Sequence, residues 1–328
     1  MKARSSFLAV ALSVSSFAGL APGAAHAETD WPSRVVRVII PWAAGGGTDP
    51  LARVIFGDMS QRLGHTFVPD FKGGASGTIG TAAAARAAPD GYTMMMTSGT
   101  PVVNANFMPN VPYDPKVDIV PVAQVTTSTL FVAANVHTPY NTFQELIDYA
   151  KAHPGKINAA LNGIGGTSHV TLSTIQHATG VKFNVIPYSG SGAQQADLMS
   201  GVVDIGFGFA TSFMPGIKSG KLKFIAALSP ERDPMVPDVQ TSDESAYKGV
   251  YNVNWFTVFV PKGTPREIID KMNAELRTTV TNPVIAKKIN ELGYAVKIGS
   301  PEDAANMIKA DVEQMRKLIE AGVFEIPK

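Results

Sequence analysis

Twice in this chain an apolar run passes through a glycine-rich loop into the start of a helix. The first run is RVVRVII (34–40), suited to a buried strand. Pro41-Trp42-Ala43-Ala44-Gly45-Gly46-Gly47-Thr48-Asp49-Pro50 follows, then residues 51–63, where Leu51, Val54, Ile55, Met59 and Leu63 recur at helical spacing. Thr48 or Asp49 suits the cap of that helix and Pro50 its first turn. The second copy has a strand at 156–160, the loop LNGIGGT (161–167), a cap at Thr167 or Ser168, and a helix over 168–179. Glycines let backbone approach a ligand, and free N–H groups with the helix dipole favour an anion. One such junction serves equally well as a tight turn with no ligand. Two of the same layout favour a pair of anion-binding loops.

The intervening pattern predicts an α/β chain. A strand over 65–70, a glycine-rich loop over 71–77 and an alanine-rich helix over 78–88 lead to a third strand over 92–97. That strand delivers Ser98-Gly99-Thr100 to its C-terminal end, where ligands of parallel sheets gather. Met94, Met95 and Met96 cannot all face one way on a strand, so they read as core and not as a thioether metal site. Two extended stretches stand apart: 119–134, with a polar interruption at 126–129, and 252–260. They predict a crossover into a second domain and a return from it.

Between them lie a helix over 142–152 with a Thr142/Glu145 capping box and strands over 181–187, 202–209 and 222–228. Helices are predicted over 193–200 and 211–219, and a loop over 230–249. After the return come a capping box at Thr264/Glu267, helices to 281, over 283–292 and over 301–321, and a short strand over 295–298. The 328 residues suffice for about two domains of ~150 each. The expected architecture is a clamshell of two α/β lobes, 28–124 with 252–328 and 125–251, with one glycine loop on each side of the cleft.

Residues 1–27 read as a secretory leader. Lys2 and Arg4 precede an apolar stretch over 7–20, and Ala25-His26-Ala27 matches a small-x-small cleavage site. No later run approaches ~20 apolar residues. Cysteine is absent, which removes disulfides, thiolate metal sites and a thiol nucleophile. An exported, cysteine-free chain without a membrane span is expected in the periplasm. The formal net charge of +1 argues against nucleic acid or an anionic membrane as partner.

Catalytic signatures are missing. There is no G-x-S-x-G, no H-E-x-x-H and no G-x-x-x-x-G-K-[ST], and the histidines are scattered. Gly163–Ser168 only begins like a dinucleotide fingerprint. No enzyme activity, cofactor or metal is expected. His169, just after the second cap, is the one histidine placed in the site, its N–H within reach of a carboxylate; a helix-surface position is the alternative.

The stretch from Val38 through Pro41-Trp42-Ala43-Ala44-Gly45-Gly46-Gly47-Thr48-Asp49 resembles the first-loop signature of the Bug family, the solute-binding receptors of tripartite tricarboxylate transporters. Ala84 to Thr93 (with Arg86 and Pro89-Asp90-Gly91-Tyr92), Asn162-Gly163-Ile164-Gly165-Gly166-Thr167-Ser168-His169, and Phe259 to Pro265 resemble the family in the same order. The resemblance implies a type II periplasmic binding fold, capture of a small organic carboxylate and delivery to membrane transporter subunits. It places one ligand carboxylate between Ala43–Asp49 and Asn162–His169. A monomer is expected. A receptor reporting to a membrane sensor has the same cleft, and a secreted α/β enzyme is the other alternative.

Three departures concern the far end of the ligand. Gly208 and Phe209 stand where relatives commonly carry an acidic or amide pair, Phe71 stands in a usual Asn-Lys-Pro-Gly, and Tyr188-Ser189 in a usual Pro-Tyr-Lys-Gly. Trp42, Phe71, Phe209 and Trp255 are the expected walls, which favours an aromatic carboxylate such as terephthalate over a polar amino acid.

Overall fold

The run of β-branched residues becomes strand β1 (Val36–Ile40), buried except at Arg37. The computed structural model describes residues 30–42, 44, 48–162, 166–188, 191–251 and 253–325. Trp31–Lys328 is one compact unit, whereas Met1–Asp30 is a unit of its own; the expected leader falls in it and lies outside the described residues. β1 pairs in parallel with β2 (Phe67–Phe71) and β3 (Thr93–Ser98). The connections are α1 (Thr48–Leu63) and α2 (Thr78–Ala85), which is the predicted βαβαβ order. A short helix, α3 (Thr100–Val103), follows β3.

The long extended stretch is a single strand, β4 (Ile119–Asn135). Up to Thr129 it pairs antiparallel with β9 (Val253–Pro261), and from Leu130 it pairs with β7 (Ile205–Phe209) and β8 (Leu222–Leu228). The strand thus changes partners at the end of its polar interruption. Beyond β7 lie β5 (Asn158–Asn162) and β6 (Asn184–Tyr188), in parallel. Among the described residues the order is β2-β1-β3-β9-β4-β7-β5-β6, with β8 and β10 (Ala295–Val296) also on β4.

Each half of this sheet carries helices on both faces. Met94 and Met96 pack with Leu51 and Ile55 of α1, Met272 and Leu276 of α8 (Arg266–Thr281), and Ile289 of α9 (Pro283–Glu291). Met95, one residue between them, faces the other way toward Val102, Phe259 and Met315 of α10 (Pro301–Glu320). The alternation of side chains along a strand puts the methionine run into two cores. In the second half, Leu146 of α4 (Phe143–Ala152) and Leu172 of α5 (Thr167–Thr179) cover one face. Leu198 of α6 (Ser191–Ser200) and Phe213 of α7 (Ala210–Lys218) cover the other.

Helix starts differ in detail from the sequence expectation. Thr48 and Thr167 are the first helical residues of α1 and α5, so the hydroxyls lie inside the first turn. Gly166 is the cap of α5, in an extended conformation without a side-chain bond. α8 likewise begins after Pro265, and Thr264 donates its hydroxyl to the Pro261 carbonyl at 2.8 Å instead of capping. At α4 Thr142 does accept the Glu145 N–H, but the Glu145 carboxylate takes the N–H of Asn141 at 2.7 Å. A complete reciprocal box sits at Ser300 and Asp303, ahead of α10.

Candidate ligand-binding site

The parallel strands β1 and β3 of one half, and β5, β6 and β7 of the other, end at Ile40, Ser98, Asn162, Tyr188 and Phe209. These ends carry the candidate site. After β1, Trp42 is half-buried against the core of the first half, and its Nε1 is buried without a partner among the described residues. Ala44 is exposed, whereas Thr48 and Asp49 are buried in the first turn of α1. Asp49 accepts from Arg53 Nε at 2.5 Å, one turn on. That pairing compensates the negative charge Asp49 brings to a helix N-terminus, where an anion would otherwise be repelled. Ala43, Gly45, Gly46 and Gly47 lie outside the described residues.

Gly80 on α2 shows how tightly this loop is backed. A Cβ there would meet Pro41 Cα at 2.6 Å and the Lys72 carbonyl at 2.7 Å, so only glycine lets α2 lie against the loop's first residue. Phe71, at the end of β2, is partly buried with the Arg53 guanidinium 5.6 Å from its ring centre.

On the second loop Asn162 closes β5, and Gly163, Gly165 and the intervening residue lie outside the described residues. Thr167 Oγ1 lies 3.0 Å from Thr100 Oγ1, which joins the start of α5 to the start of α3. Ser168 is buried, and its Oγ has no partner among the described residues. His169 donates its backbone N–H to the Gly166 carbonyl at 3.0 Å, so that N–H is taken. Its ring meets Phe324 edge-on at 5.1 Å. Burial holds the imidazole below its ordinary value, so it is neutral at pH 7 and offers an anion no charge.

Ser98 is buried at the end of β3 opposite Phe256. At Gly99 a Cβ would stand 2.8 Å from the Trp255 indole, so the missing side chain is what lets that ring pack. Trp255 is buried and donates Nε1–H to Asp311 of α10 at 2.5 Å. Tyr188 is committed elsewhere: its hydroxyl donates to Asp197 of α6 at 2.7 Å. Ser189 lies outside the described residues. At Gly208 a Cβ would approach the Phe213 ring at 3.0 Å, which turns this glycine toward the core of the second half. Phe209 packs on the opposite face, 6.4 Å from the Tyr294 ring.

The structure therefore brings Gly99, Thr100, Thr167 and Trp255 together around a cavity of about 220 Å³. Trp42 and Phe71 sit on the first core and Phe209 on the second, each with its own neighbours. Asn254 and Asp311 line the same cavity, and neither was singled out from sequence. Asp311 lies on a helix whose other charged side chains face solvent, and nothing in that spacing marks it. Among the described residues no three His, Cys, Asp or Glu side chains converge to hold a metal ion.

Residues 51–323 match the family described as the tripartite tricarboxylate transporter family receptor, TctC. Protein BugT of Bordetella pertussis is 32% identical over 87% of this chain and 88% of its own length. The solved periplasmic binding protein BugD is 35% identical, with a TM-score of 0.78 over 89% of this chain and 99% of BugD. A protein of R. palustris solved with adipate is 28% identical, with a TM-score of 0.81 over 89% of this chain and 98% of that one. The fold is the type II periplasmic binding fold, two α/β halves linked by β4 and β9, and the chain belongs to the TctC family of solute-binding receptors.

Proposed function

We propose that this receptor captures a small organic carboxylate in the periplasm, as a monomer, and delivers it to the membrane subunits of a tripartite tricarboxylate transporter. One observation carries the reading. Each glycine loop holds a buried donor with no partner among the described residues, Trp42 Nε1 on the first and Ser168 Oγ on the second. A buried polar group left unsatisfied costs about 1–3 kcal/mol, and a carboxylate lying between the loops removes that cost at both. With four or five charge-assisted bonds at ~1.5–3 kcal/mol each, less desolvation and ordering, about 8 kcal/mol remains, which is micromolar affinity.

In this reading the two lobes are 28–124 with 252–328 and 125–251, hinged where β4 changes partners, and residues 1–27 are the export leader. The ligand's far end is aromatic, terephthalate being the leading candidate. The family resemblance implies polar groups where this chain has Phe71 and Phe209, and the two phenylalanines leave a glutamate-like ammonium without a counter-charge there. A medium-chain dicarboxylate ranks second, supported by the adipate in the R. palustris relative.

Calorimetry with terephthalate, benzoate, adipate, malate, glutamate and citrate tests this. The expected result is binding of the aromatic acids roughly tenfold more tightly than glutamate or citrate, a gap of ~1.4 kcal/mol. Gly46→Val and Gly165→Val should remove most of it. Unchanged affinity in both variants would place the carboxylate elsewhere, and a preference for glutamate or citrate would overturn the aromatic assignment.

A further inference from the structure

We infer that a cavity at the end of the second half remote from the glycine loops is a second ligand site, one that takes a small zwitterionic amino acid. It lies where β4 ends at Asn135, beside the starts of β5, β7 and β8. The candidate carboxylate site is at the opposite ends of β5 and β7, about 13 Å away along β5 alone. At about 350 Å³ the cavity has room for an amino acid with a small side chain.

Tyr140 carries the assignment. It is 2% exposed and lines the cavity, and its hydroxyl has no hydrogen-bond partner among the described residues. Burial raises its proton affinity and the charge of Asp204 raises it further, with Thr138 acting the other way. Asp204, Thr138 and Tyr149, the groups that act on this hydroxyl, all line the same cavity, which puts the hydroxyl at its wall. Thr138 has already spent its own hydroxyl proton on the Asn135 carbonyl at 2.8 Å. Asp204 accepts the Asn158 N–H at 2.7 Å and has no ion pair among the described residues. Lys156, exposed at the rim, has none among them either. A carboxylate and an ammonium thus line one cavity without neutralising each other. A zwitterion meets both, its ammonium donating to Asp204 and the Tyr140 oxygen while its carboxylate faces Lys156. A ligand with a single charge leaves a like charge beside it.

The backbone N–H of Asn158 reads the site directly, because it donates to the Asp204 carboxylate. In the full-length protein labelled with ¹⁵N-asparagine, Asn158→Ser assigns that signal. Titration with L-alanine should shift it saturably, and n-propylammonium chloride, sodium propionate and glycerol should each act at least roughly tenfold more weakly. Asp204→Asn keeps an acceptor for the Asn158 N–H and should weaken the alanine response roughly tenfold. Tyr140→Phe should weaken it roughly threefold to tenfold, and the fold should be kept because the lost hydroxyl holds nothing among the described residues. The alanine response should persist in Gly165→Val, and terephthalate or adipate binding should persist in Asp204→Asn, so failure of either site is seen separately. A response lost in Gly165→Val would move the amino acid to the glycine loops and overturn the proposal. An equal response to glycerol, propionate or propylammonium, or an unchanged alanine response in Tyr140→Phe or Asp204→Asn, would overturn it as well.

Discussion

Thr100 Oγ1 and Thr167 Oγ1 lie 3.0 Å apart, and this contact ties the start of α3 to the N-terminus of α5. The two residues belong to opposite halves of the sheet, separated by β9 and by the partner change in β4. A neutral hydrogen bond of this kind contributes about 0.5–1.5 kcal/mol. If ligand binding draws the halves together, Thr167→Val should weaken carboxylate affinity by roughly threefold to tenfold. Thr100→Val should do the same, and the double variant should be no weaker than either single one. A calorimetric double-mutant cycle measures the coupling, and additive losses would show that the hydroxyls act separately.

Ser168 and Trp42 make a prediction in which stability and affinity move in opposite directions. Each keeps a buried donor without a partner among the described residues. Ser168→Ala removes that cost in the ligand-free protein, which should become more stable by up to about 1 kcal/mol. The same change removes a ligand hydrogen bond, so affinity should fall roughly tenfold. Trp42→Phe should behave alike for its Nε1. Thermal melts without ligand, set against calorimetry with it, provide both numbers. A parallel loss of stability and affinity in Ser168→Ala would assign its hydroxyl a structural role.

Much of the fold was legible from residue spacing. Period-two and period-3.6 patterns over long segments located the strands and helices, and the length of the 119–134 run marked β4 as the element common to both halves. Helix caps were less legible, because a hydroxyl just before and just inside the first turn reads the same way. Gly166 in an extended conformation took the cap that Thr167 and Ser168 were expected to fill, which frees Thr167 to reach Thr100. The far wall was the least legible part. Gly208 turns toward Phe213, so a lost polar side chain at that position does not by itself open the cleft. Nor does sequence reveal that Tyr188 spends its hydroxyl on Asp197 or that α10 docks Asp311 on Trp255.

Gly99 tests how far the indole can yield. A Cβ at this position would fall 2.8 Å from Trp255 Cε2 and 2.9 Å from Cζ2, inside the closest approach real side chains show. The ring cannot retreat freely, since its Nε1 is held by Asp311 and its residue is buried. Gly99→Ala should therefore cost about 1–3 kcal/mol, the range for overpacking a filled core. Denaturant unfolding measures the loss, and tryptophan emission should shift to the red as the indole is displaced. An unaltered midpoint and emission would mean that β3 moves instead of the ring.

The sharpest prediction concerns Asp311 and pH. Burial raises its proton affinity above the ordinary aspartate value of 3.8, and the Trp255 hydrogen bond opposes this only in part. Between 3.8 and the raised value the folded chain holds more of this proton than the unfolded chain does. Stability then falls as pH rises through that window and stays lower above it. Asp311→Asn retains the acceptor for Trp255 but cannot ionise. The variant should melt above the parent at pH 7, and the gap should close as pH is lowered toward and below 3.8. His169 acts in the opposite sense. Burial holds its imidazole below 6.5, so its contribution is present above that pH and is lost as pH falls. Its removal by His169→Gln should relieve acid sensitivity just below 6.5 and leave the Asp311 effect in place. Melting curves of the parent and both single variants from acid to neutral pH separate the two windows. A parent that melts at or above Asp311→Asn at pH 7 would show that the carboxylate is compensated in the folded protein.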